Sequence, residues 1–154
     1  MIRYEKAGAD QWVVLVRTRI QVLRAANGLD DSVDMSGVEE TSEVYYRESL
    51  EDGSHVAYLV YDGERIIGTG GVSFYRVMPT FHNPTGMKAY IMNMYTAPEY
   101  RRRGIARKTL DYLVGEARSR GIYFISLEAT SMGRPLYGGY GFEQMEDEMY
   151  LPPR

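Results

Sequence analysis

The chain has 154 residues, a formal net charge of −3 and no cysteine, which fits one domain over 1–154 able to bury about two thirds of its unfolded surface. The missing cysteine excludes disulfides, thiolate metal sites and a cysteine nucleophile, and the acidic balance argues against a general nucleic-acid binder. No apolar signal core opens the chain and no apolar run approaches the ~20 residues that span a bilayer, so a cytoplasmic protein with no membrane partner is expected.

Ile2 to Lys6 reads as a short strand, and a helix follows from about Ala9 to Asn27, with Trp12, Leu15, Val16, Ile20, Val22 and Leu23 at helical spacing. Asn27-Gly28 ends it. Leu29 to Gly37 is a loop, and Val38 to Leu50 predicts a second helix that stops before Asp52-Gly53. The segment His55 to Tyr61 is rich in β-formers, Asp62-Gly63 is a hairpin signal, and Arg65 to Tyr75 returns antiparallel. Gly68, Gly70 and Gly71 within that returning strand point to a bulge or a close backbone approach.

Val77 to Met87, with two prolines, is a loop; Ala89 to Thr96 is the next strand, and a helix runs from Arg101 to about Arg120. Its apolar face is Ile105, Ala106, Leu110, Leu113, Val114 and Ala117. Gly121 closes it, and Ile122 to Leu127 forms a strand, so strand, helix and strand make a right-handed parallel crossover. A helical turn near Met132 to Gly138 and a final hairpin over Phe142 to Leu151 complete the expected order.

The chemistry concentrates where the strand ending at Thr96 meets the helix after it, in Tyr100-Arg101-Arg102-Arg103-Gly104-Ile105-Ala106. A helix start leaves about four backbone N–H groups unpaired and carries roughly half a positive charge, so it favours an anion there. Arg101, Arg102 and Arg103 add full charges, and Gly104 removes a Cβ that would hold a pyrophosphate away from the backbone. By contrast Asp30, Asp31, Asp34, Glu39, Glu40 and Glu43 form an acidic stretch upstream that could draw in a cationic amine.

The pattern Arg101-x-x-Gly104-x-Ala106 resembles the pyrophosphate-binding motif of the GNAT superfamily of acetyl-CoA-dependent N-acetyltransferases. Leu136-Tyr137-x-x-x-Gly141-Phe142 resembles that family's C-terminal signature, and the element order is similar to its fold, an α/β mixed sheet whose strands splay open halfway along. The resemblance implies acetyl-CoA as cosubstrate, with Met94, Tyr95 and Thr96 pairing their backbone with the pantetheine arm, which fits the β-augmentation that two amides permit. Arg101, Arg102, Arg103, Gly104, Ile105 and Ala106 would then hold the pyrophosphate. It implies that Tyr137 is the general acid that protonates the departing thiolate, whereas Tyr140, with no counterpart in that motif, is structural.

Three positions depart from the family pattern. Thr130 stands where an asparagine is common and can still cap a helix and donate a hydrogen bond, so the resemblance keeps it among the cofactor-binding residues; Gly133 stands where an alanine is common, and Arg102 replaces a glycine of the turn. Glu128, at the end of its strand, is a candidate base acting through water, and Asn93 and Tyr90 are candidate lining residues. His55 reads as structural and His82 as a loop residue or substrate contact, and two isolated histidines carry no metal signature.

The resulting expectation is transfer of acetyl to a primary amine of a small molecule or peptide by direct attack in a ternary complex. The alternative is an acyl-CoA-binding sensor without turnover. A nucleotide- or RNA-binding role lacks a Walker or Rossmann glycine pattern; exposed strands and many tyrosines leave room for a homodimer, whose geometry no sequence feature fixes.

Overall fold

The computed structural model describes residues 1–153. Five strands form one sheet in sequential order: β1 (Ile2–Lys6), β2 (His55–Asp62), β3 (Arg65–Arg76), β4 (Met87–Thr96) and β5 (Ile125–Leu127). The first four are antiparallel neighbours and β5 is parallel to β4. Helices α1 (Trp12–Asn27), α2 (Ser36–Asp52), α3 (Ile105–Ser119) and α4 (Arg134–Tyr140) flank it. No helix of the described residues is long and apolar enough to cross a membrane.

Alternation along β2 sorts its side chains into two layers, because successive strand residues point to opposite faces. Val56 and Tyr58 join Val72, Phe74, Ala89 and Ile91 against Leu110, Leu113, Val114 and Ala117 of α3. Ala57 and Leu59 turn the other way and meet Leu15 and Val16 of α1 and Tyr46 of α2. The sheet is therefore covered on both sides, with α3 on one face and the α1–α2 pair on the other. Gly70 leaves room for α3 on the sheet: a Cβ there would lie 2.8 Å from the Thr109 side chain and 3.0 Å from Leu113.

The sheet splits as expected of a splayed fold. Pairing between β4 and β5 covers only Ala89 to Ile91 against Ile125 to Leu127, and β4 continues to Thr96 with no strand opposite on that side. At the same level the β3–β4 register jumps: Thr69 pairs with Tyr95 but Gly71 pairs with Met92, so β4 carries one extra residue. This is a β-bulge, a device that bends a strand and re-aims its groups. Asn93 sits in it with φ 59°, in the left-handed region.

Four expectations need correction. The final hairpin is absent: no strand follows Leu127 among the described residues, and Glu146-Asp147-Glu148 leaves the segment without an alternating apolar face. The strand expected from Ile122 begins only at Ile125, because the Ile122 N–H donates to the Ala117 carbonyl at 3.0 Å and its side chain closes the α3 face. Helix α3 starts at Ile105, not Arg101, since Arg101 to Gly104 form a turn. Helix α2 starts at Ser36, two residues before Val38, which shortens the acidic loop.

Candidate functional site

After β4 the chain makes a single 3-10 turn (Pro98–Tyr100) and then the tight turn into α3, with two residues in the left-handed region, Arg102 at φ 63° and Gly104 at φ 78°. Arg101 Nε donates to the Thr96 carbonyl at 3.1 Å, tying the turn to the strand end. Gly104 caps α3 without a side-chain hydrogen bond, and no acidic residue occupies the first turn. The donors of that helix start are thus left without a side-chain acceptor, beside three exposed arginines. No protein atom lies within 4 Å of a Cβ placed on Gly104, so its positive φ, not crowding by the protein, selects glycine.

Aromatic rings brace this turn. The Arg103 guanidinium lies 5.1 Å from the Tyr100 ring centroid and Arg107 lies 5.1 Å from that of Tyr140. Tyr140 OH donates to Asp111 at 2.8 Å, so Tyr140 fastens α4 to α3, as its structural reading requires. Of the remaining residues expected at the cofactor, Ile105 is buried with Val60, Ile67 and Ala97, and Tyr95 packs against that cluster. Met94 packs towards α3, and Ala106 is half-buried behind the turn. Met94, Tyr95 and Thr96 all lie on the stretch of β4 beyond its pairing with β5.

Tyr137 lies on α4, half-buried, with its ring centroid 6.1 Å from that of Phe142. Burial raises its phenol above the ordinary tyrosine value, which keeps the proton on oxygen at neutral pH. Thr130 Oγ1 accepts from the Gly133 N–H at 3.2 Å and the Thr130 carbonyl accepts from Arg134 N–H at 3.0 Å, so Thr130 organises the approach to α4. Glu128 is exposed just past β5 and neighbours Tyr90, whose phenol is raised by burial first and then by the Glu128 charge.

A cavity of about 880 Å³ opens beside Tyr137, lined also by Ser126, Leu127, Ala129, Arg134 and Phe142. It includes none of the residues from Arg101 to Ala106. The structure therefore brings the expected site residues together as two groups: the arginine turn with the end of β4, and Tyr137 with the segment after β5.

Part of the acidic stretch has a local role. Asp30 accepts from the Ser32 hydroxyl and from the Ser32 N–H at 2.9 Å, and Asp34 accepts from the Ser36 N–H at 2.9 Å; these bonds, the Ser32 hydroxyl first for Asp30, hold both carboxyls below their ordinary pKa. His82 is exposed in the loop before β4, edge-on to Phe81. Among the described residues no group of acids and histidines could hold a metal ion.

The site also contains a polar cluster that no motif announces, on the α1–α2 side of the sheet. His55 is 4% exposed; its Nδ1 lies 2.9 Å from Tyr45 OH and 3.2 Å from Ser73 Oγ, while Nε2 is buried without a partner. A Cβ on Gly71 would come within 2.8 Å of that nitrogen. Burial first, and then the Arg19 charge, push the His55 pKa down to about 4, so the imidazole is neutral near pH 7. Burial likewise pushes Tyr46 up to about 12. Arg19 of α1, four residues beyond the core residue Leu15, donates from Nη1 to Asn93 Oδ1 at 3.1 Å. A charged residue on the buried face of a helix is the one sequence signal that marks Arg19.

A model of the acetyltransferase (GNAT) family matches residues 25–142 of the chain. A predicted acetyltransferase from Clostridium acetobutylicum, solved with acetyl-CoA, is 35% identical, with a TM-score of 0.89 over 99% of this chain and 96% of that one. A GCN5-related N-acetyltransferase from Ralstonia eutropha JMP134 is 26% identical, with a TM-score of 0.85 over 99% of each chain. The uncharacterized N-acetyltransferase YsnE of Bacillus subtilis is 26% identical over 131 residues, covering 82% of this chain and 81% of its own.

Proposed function

The chain belongs to the acetyltransferase (GNAT) family, and from that premise we propose that it uses acetyl-CoA to acetylate a primary amine by direct attack within a ternary complex. The observation that carries the reading is the uncapped start of α3, flanked by Arg101, Arg102 and Arg103, immediately after a strand that has lost its neighbour. The donor set fits a pyrophosphate: backbone N–H groups, a helix field and full cationic charges converge there.

Bound, acetyl-CoA supplies the electrophilic thioester: the amine nitrogen bonds to the carbonyl carbon, the carbon–sulfur bond breaks, one proton leaves nitrogen and one reaches sulfur. Arg101, Arg102, Arg103 and the N–H groups after Gly104 neutralise the phosphates. The backbone of Met94, Tyr95 and Thr96 pairs with the pantetheine amides along the open edge of β4. A backbone N–H at the bulge around Asn93 and Met94 polarises the carbonyl, an oxyanion-type contact of about 3 kcal/mol.

Tyr137 hands its proton to the departing sulfur. An ordinary phenol near 10 is already a weaker acid than a thiol near 8.5, and burial raises Tyr137 further, so the transfer is uphill and depends on close positioning. Glu128 takes the proton lost from nitrogen through a water. Thr130 orders the segment between Glu128 and Tyr137.

A direct test is release of free thiol from acetyl-CoA on incubating the full chain with a panel of primary amines. Release that requires one class of amine supports transfer. Tight acetyl-CoA binding without release on any amine favours a sensing module instead.

A further inference from the structure

We propose that Arg19 is a positioning residue for acetyl transfer, clamping the β4 bulge through Asn93; the inference rests on the reading that the bulge backbone polarises the thioester. Three observations converge on it. Asn93 holds φ 59°, a conformation that L-residues reach only at a cost and that asparagine tolerates better than most. Its side-chain oxygen is engaged by Arg19 Nη1 at 3.1 Å, across 74 residues of sequence and from a different layer of the fold. Arg19 is half-buried, yet among the described residues it forms no ion pair with a carboxylate.

A half-buried guanidinium without a carboxylate partner is an expensive way to pack a helix, since partial desolvation of the charge is not offset by ion pairing. The hydrogen bond it does make fixes the one residue whose backbone departs from strand geometry where β4 parts from β5. Its field also reaches inward: it adds to the burial that depresses His55 and partly opposes the burial that raises Tyr46. Without the clamp, the Asn93 side chain is free to rotate and the bulge samples neighbouring backbone conformations. A donor aimed at a carbonyl loses most of its effect when misaligned, because hydrogen bonds weaken steeply with angle. The α1 helix thereby couples the α1–α2 layer to the geometry at the split.

The test reads carbonyl polarisation directly and needs no acceptor. The infrared carbonyl stretch of [1-¹³C]acetyl-CoA is recorded bound to wild type, Arg19→Met, Arg19→Lys, Asn93→Gly and the Arg19→Met/Asn93→Gly double variant, with affinities measured by calorimetry. Wild type is expected to lower the stretch relative to free acetyl-CoA. Arg19→Met and Asn93→Gly should each lose at least about half of that shift, while the dissociation constant changes by less than about threefold, a difference of about 0.7 kcal/mol. Arg19→Lys, which keeps a cationic donor, should restore most of the shift, and the double variant should lose no more than either single one.

An unchanged shift in Arg19→Met with intact binding overturns the clamp and leaves the proposed activity standing. Additive losses in the double variant also overturn it, since the two residues would then act separately. Failure of wild type to bind acetyl-CoA overturns the activity and the clamp together. If Arg19→Met does not fold, the Asn93→Gly and Arg19→Lys pair decides by the same shift.

Discussion

The two faces of the β4 strand are built on opposite plans. On the side of the arginine turn, the working groups are backbone donors and charges contributed by a continuous run, Arg101 to Ala106, held by one glycine and one left-handed arginine. On the α1–α2 side, Arg19, Tyr45, His55, Ser73 and Asn93 come from two helices and three strands. A turn built from consecutive residues leaves a local signature in the sequence, whereas a cluster assembled from distant side chains leaves none.

The largest expected effect would break the contrast at Tyr137. Tyr137→Phe should lower kcat by about 100-fold, within the range of general acid catalysis, and leave acetyl-CoA affinity within about twofold. Equal losses in kcat and affinity would make Tyr137 a packing residue of α4 and remove side-chain chemistry from the cofactor side.

The second prediction probes the opposite layer. His55 has a depressed pKa of about 4 in the folded chain against about 6.5 unfolded, so below pH 6.5 the unfolded state binds the extra proton. Its contribution is fully present above about pH 6.5 and is lost as pH falls towards 4, by up to about 3 kcal/mol. Urea denaturation across this window should show that decline, and His55→Asn should flatten it. A decline of equal steepness in the variant would assign the loss to other groups.

The smallest effect sharpens the turn itself. Arg102 holds φ 63°, which glycine adopts without strain, so Arg102→Gly should stabilise the fold by up to about 1 kcal/mol. Acetyl-CoA affinity should fall by less than about threefold, because the remaining arginines and the helix start persist. Thermal melting and calorimetry on the same sample check both halves.

These contrasts also explain what the sequence made legible. Strand and helix order up to Leu127, the crossover through α3 and the arginine turn follow from periodicity and a glycine at a required conformation. The clustered glycines of β3 pointed to a bulge or a close approach, and both occur: the register shifts beside Gly68 and Gly71, and neighbouring side chains crowd Gly70 and Gly71. The last segment, expected as a hairpin over Phe142 to Leu151, forms none because the three successive acids Glu146, Asp147 and Glu148 break any alternating apolar face. Within the site, Tyr137 and Thr130 were singled out through the resemblance to the family signature, and the structure places them on α4 and just before it. The Asn93 bulge was not legible, since its cause is a register jump between strands that no local pattern encodes. The His55 cluster stayed hidden for a related reason: a lone histidine at a strand start gains its partners only when α2 and β3 close over it.

The central claim is that the turn into α3 holds the diphosphate of acetyl-CoA. Calorimetric titration of wild type and Gly104→Val with acetyl-CoA and with acetyl-pantetheine, which lacks the nucleotide diphosphate, tests it most directly. Valine at φ 78° strains the turn by about 1–2 kcal/mol, so acetyl-CoA should bind wild type far more tightly than acetyl-pantetheine does and lose about tenfold or more in the variant, with acetyl-pantetheine indifferent to the change. Equal affinity of wild type for the two ligands, or an equal loss of both in Gly104→Val, would contradict the account.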